Sequence, residues 1–81
     1  MAERPSAEEI AKWQRWFAAA SNNRAWQLIE VEDRTPSDDH EMLHAAHAAA
    51  WHWARVGTPL QEARAHMLLG MAHAQIGRAH V

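Results

Sequence analysis

The stretch Thr35-Pro36-Ser37-Asp38-Asp39-His40-Glu41-Met42-Leu43-His44-Ala45-Ala46-His47 decides how the rest of the chain is read. It opens with helix-start grammar. Thr35 can cap the first turn, and Pro36 sits at the first helical position, where a missing N–H costs nothing. Asp38, Asp39 and Glu41 follow in the first turns, at the positive end of the helix dipole. Alanine, the best helix former, then dominates up to Val56. Gly57 is expected to stop the helix as a left-handed cap. The stretch therefore begins a helix over about 36–56, and it places His40, His44 and His47 at i, i+4 and i+7 on one face.

The grammar extends in both directions. Upstream, Glu32-Asp33-Arg34 reads as a turn, and before it Ser6-Ala7-Glu8-Glu9 is a capping box that starts a helix over about 7–31. Ile10, Trp13, Phe17, Ala20, Leu28 and Val31 share one stripe of that helix and form its expected core face. Trp16 and Trp26 lie off the stripe, which predicts contacts on two sides. Ser21-Asn22-Asn23 is the place for a kink, because these side chains compete for backbone hydrogen bonds. Downstream, Thr58-Pro59-Leu60-Gln61 repeats the start grammar for a third helix over about 59–76, which Gly77 is expected to end. No strand signal occurs. Turns this short imply antiparallel neighbours, so the expected fold is all-α, with three helices running up, down and up in one domain spanning 1–81.

Composition bounds the rest. At 81 residues the chain buries roughly 60–65% of its unfolded surface, a marginal core. With no cysteine there is neither a disulfide nor a thiolate ligand, so any zinc site must be built from imidazole and carboxylate. The net charge of −2 and the lack of a basic stripe argue against a nucleic-acid partner. No apolar run is long enough for a membrane span, and the polar N-terminus does not resemble a signal peptide, so the expected location is cytoplasmic. The seven histidines are the outlier. Protonating all of them would move the formal charge from −2 to +5, which makes association sensitive to pH below roughly 6.5. Five tryptophans are also many for this length, and such residues anchor small cores and interfaces.

Ala63-Arg64-Ala65-His66-Met67-Leu68-Leu69-Gly70-Met71-Ala72-His73-Ala74-Gln75-Ile76-Gly77-Arg78-Ala79 resembles the first helix of a tetratricopeptide repeat. Leu69-Gly70 takes the place of that family's Leu-Gly pair, His73 that of its aromatic residue and Gly77 that of its inter-helix turn. The resemblance covers these 17 residues only, and the second helix of the repeat does not follow. It implies helical hairpins whose last apolar face lacks a partner. A homodimer is then expected, joined through the tryptophan face of the first helix or through the third helix.

His40-Glu41-Met42-Leu43-His44 is similar to the zincin metallopeptidase signature. The resemblance implies His40 and His44 as zinc ligands and Glu41 as the general base that polarises a metal-bound water. Nothing else in the chain matches that family. On a straight helix His40 and His47 are about 10 Å apart along the axis, so a pair, His40/His44 or His44/His47, is the realistic unit. The third ligand must come from another helix or another chain. Equal heights about the Gly57 turn put His44 level with about 71 and His40 with about 75, with His73 between them, and put His47 near His66. Across the Arg34 turn, Glu30 lies near His40, and Asn23 or Arg24 near His44. Glu62 is too close to the turn to serve. His66, His73 and His80 recur every seven residues along one edge of the third helix.

The plainer alternatives stand beside these. His52 and His80 read as solvent-facing, His66 and His73 as boundary residues, and His47 with Trp51 as aromatic packing. The sequence thus supports two functions: a minimal zinc protein hydrolysing a small molecule or peptide, with His40, His44, His73 and His47 as ligands and Glu41 as base, or a non-enzymatic, homodimeric interaction module.

Overall fold

The computed structural model describes residues 4–79, which form three helices, with no strand among them. They are α1 (Ala7–Ile29), α2 (Pro36–Val56) and α3 (Pro59–Ala79). Each start is fixed by a side chain that satisfies backbone donors which a first turn would otherwise leave unpaired. At α1, Ser6 Oγ accepts from the Glu9 N–H at 3.1 Å. At α2 the bonds are reciprocal: Thr35 Oγ1 accepts from Asp38 N–H at 3.1 Å, and Asp38 Oδ2 accepts from Thr35 N–H at 3.0 Å. Thr58 and Gln61 repeat this pairing at α3, with bonds of 3.2 and 2.9 Å.

The helix ends differ from the sequence expectation in three ways. α1 stops at Ile29, with Glu30 as its C-cap, rather than at 31. Gly57 is not a left-handed cap, since its φ of −82° and ψ of 162° are extended. Glycine is needed there for space. A Cβ would lie 2.7 Å from the Trp53 carbonyl oxygen and 3.1 Å from the Trp53 ring. Gly77 does not end α3, which continues to Ala79, because glycine lowers helix propensity without forcing a stop.

Of the core stripe expected on α1 only Leu28 is buried, and the buried line turns from it toward the alanines. Buried are Ala18, Ala25 and Leu28 of α1, Met42, Ala46 and Ala49 of α2, and Ala65, Leu68 and Ala72 of α3. These positions recur at three- and seven-residue spacings, the seam of helices crossing at a shallow angle. Ile10, Trp13, Phe17 and Val31 are between 41% and 54% exposed. The physical reason is size. Alanine seams let helix axes approach closely, and bulky side chains then fit only at the flanks.

The densest packing is at one end, where Ala25 and Leu28, Met42 and Ala46, and Leu68 and Ala72 form a single cluster. Arg34 closes that end. Its guanidinium donates to Asp39 Oδ1 at 2.8 Å, to the carbonyls of Leu28, Ile29 and Val31, and to Gln75 Oε1 at 3.2 Å. One side chain therefore satisfies the last carbonyls of α1 and joins all three helices. The molecule is flat, 51 × 30 × 15 Å, and its least dimension exceeds a single helix diameter of roughly 10–12 Å only slightly. All three helices nonetheless touch one another, α1 and α3 included, around the shared cluster.

Candidate functional site

Three groupings of side chains have chemical potential, and each follows from which face of a helix its residues occupy. The first is at Glu41. Register across the Arg34 turn puts Arg24 of α1 level with it, and the guanidinium grips the carboxylate by two bonds, Nε to Oε2 and Nη2 to Oε1, the latter 3.1 Å long. Hydrogen bonding from Arg24 holds the Glu41 carboxyl below its ordinary value, and the same bond raises Arg24. Arg24 also reaches Gln27 Oε1 at 3.2 Å. A carboxylate bound in this way is a weaker proton acceptor than a free one.

The second grouping is the histidines. His40, His44, His47, His66 and His73 are all exposed. His40, His44 and His47 share the outer stripe of α2, but the partner that α3 brings up is not the one equal heights suggest. His73 packs against His47, ring centroids 5.6 Å apart and planes at 84°. His73 lies about five residues, roughly 7.5 Å, further from the turn than the level partner of His47. The two rings still meet because side chains lean toward the N-terminus of their own helix. In this antiparallel pair that direction carries His47 away from the turn and His73 toward it. Among the described residues no three His, Asp or Glu side chains are grouped so as to hold a metal ion. His80, the last member of the heptad series, lies outside the described residues.

The third grouping, legible only in part beforehand, is aromatic. Trp13, Trp16 and Phe17 of α1 form a mutual cluster, with centroids 5.1–6.5 Å apart. Phe17 stacks on His52 of α2 at 5.8 Å, and His52 meets Trp51 edge-on at 5.0 Å. The Arg55 guanidinium carbon lies 3.2 Å from the Trp51 ring centroid, and Arg55 Nη1 donates to the Trp51 carbonyl at 2.7 Å. His52 is thus half-buried in aromatic contacts rather than solvent-facing, and its Nδ1 is buried without a partner. Trp51 packs on His52 and Arg55, whereas His47 turns to α3. The three aromatics of α1 were visible in the sequence at spacings of three and four. Their assignment to a solvent-facing flank was not.

Between α1 and α3, over α2, runs a groove of about 450 Å³ lined by Asn22, Trp26, Trp53, Gln61, Arg64 and Met67. Among the described residues no helix is long and apolar enough to cross a membrane. No protein-family model matches the chain, and neither the curated proteins nor the solved structures give a significant match.

Proposed function

We propose that the chain is a non-enzymatic helical interaction module, of tetratricopeptide-like hairpin arrangement, that pairs with a second copy of itself through the aromatic flank of α1 and α2. The observation that carries this reading is the aromatic flank: Trp13, Trp16, Phe17 and Trp51 are all between 46% and 59% exposed, and with His52 they form one continuous set of ring contacts across α1 and α2. Aromatic anchors of this kind dominate interface energetics, and a two-fold pairing needs only a self-complementary patch. A hydrolase centred on Glu41 has less support, because Arg24 already holds the carboxylate that would act as base.

Sedimentation equilibrium tests the proposal. The wild type is expected to be dimeric, and Trp16→Glu monomeric with unchanged helix content, since Trp16 is 59% exposed within the protomer. Met67→Glu, on the far groove, is expected to stay dimeric. A wild type that remains monomeric at hundreds of micromolar, or a Trp16→Glu variant as dimeric as the wild type, would overturn it.

A further inference from the structure

We infer that His47 and His73 form a two-imidazole clip for a borderline divalent metal ion, one that ties α3 to α2. The pair is independent of the aromatic flank and differs from the set that the His40-Glu41-x-x-His44 spacing suggests. Its geometry suits the task. Two imidazole nitrogens each about 2.0–2.1 Å from one tetrahedral ion put their ring centroids about 5–6 Å apart. The observed separation is 5.6 Å. The planes stand at 84°, and χ2 of histidine is a broad torsion, so each ring can turn at little cost to meet an ion. Both rings are exposed, so an ion can enter without rearranging the core. Among the described residues neither ring makes a hydrogen bond that would have to be broken.

The donor set selects the ion class. Imidazole without carboxylate suits zinc, nickel or copper and disfavours magnesium or calcium, which require oxygen ligands. With no third protein ligand grouped nearby, water completes the coordination. The consequence is conformational. The ligands sit on different helices, so the ion binds well only when α3 is docked on α2, and binding stabilises that docked state.

The test is titration of zinc sulfate into untagged protein, followed by the imidazole nitrogen resonances and by thermal unfolding. The expected result is saturable binding of one ion per chain, with the His47 and His73 resonances moving together and Tm rising. His47→Ala and His73→Ala should each weaken binding by about tenfold or more, a loss at the level that even outer-sphere partners of a metal produce. Each should also abolish the rise in Tm, while His44→Ala and His66→Ala keep both effects. Zinc that moves His40 and His44 instead, a Tm rise that survives His73→Ala, or the absence of saturable binding would overturn the assignment.

Discussion

At the residue scale the two arginine–carboxylate pairs carry unequal weight, and burial decides which matters. The side chains of Arg34 and Asp39 are 9% and 15% exposed, and those of Arg24 and Glu41 are 47% and 49% exposed. Water screens the exposed pair, whereas the sheltered one is largely shielded from it. Arg34 also answers the carbonyls at the end of α1. Arg34→Ala should therefore cost about 2–4 kcal/mol, which in a domain of this size lowers Tm by roughly 10–20 °C in a thermal melt. Arg34→Lys should rescue it poorly, because an ammonium cannot reproduce the planar fork. Glu41→Gln should move Tm far less. The small Arg24–Glu41 contribution has a defined pH sense: its carboxyl is lowered from 4.5, so the contribution is present above that value and fades as pH falls below it. Arg34 read in the sequence only as part of a turn, because nothing local shows that its guanidinium folds back onto three carbonyls and across to Gln75.

At the element scale, starts were more legible than ends. A cap and its partner three residues on are local, so Ser6, Thr35 and Thr58 could be read directly from the chain. An ending depends on what the next segment packs against. Gly57 shows the difference: a left-handed cap was the local expectation, and the structure uses the residue's lack of a side chain instead. Gly57→Ala should destabilise by about 1–3 kcal/mol, the usual range for overpacking, because the added methyl meets a backbone oxygen at 2.7 Å that cannot move aside cheaply. A denaturant midpoint that matches wild type would contradict this. Gly70 is the control, since a Cβ there meets nothing within 4 Å. Gly70→Ala should be neutral or stabilising through helix propensity.

At the scale of the whole molecule, a small three-helix fold built on alanine seams leaves part of its apolar surface, Trp13, Trp16, Phe17 and Trp51 included, uncovered. If a second copy covers it, stability depends on chain concentration by mass action. Tm measured over a hundredfold dilution series should fall as the protein is diluted, and Trp16→Glu should remove that dependence. A concentration-independent Tm in the wild type would argue for a self-sufficient monomer. The sequence by itself determined the three helices, their starts and their antiparallel order, because capping, alanine propensity and short turns act within a few residues. It also showed His40, His44 and His47 on one face. Only the tertiary structure decided which face of α1 is core, that Glu41 belongs to Arg24, and that His73 meets His47. Those outcomes depend on how closely the helix axes approach and on how far opposed side chains lean along them, and neither is encoded in the spacing of residues along one helix.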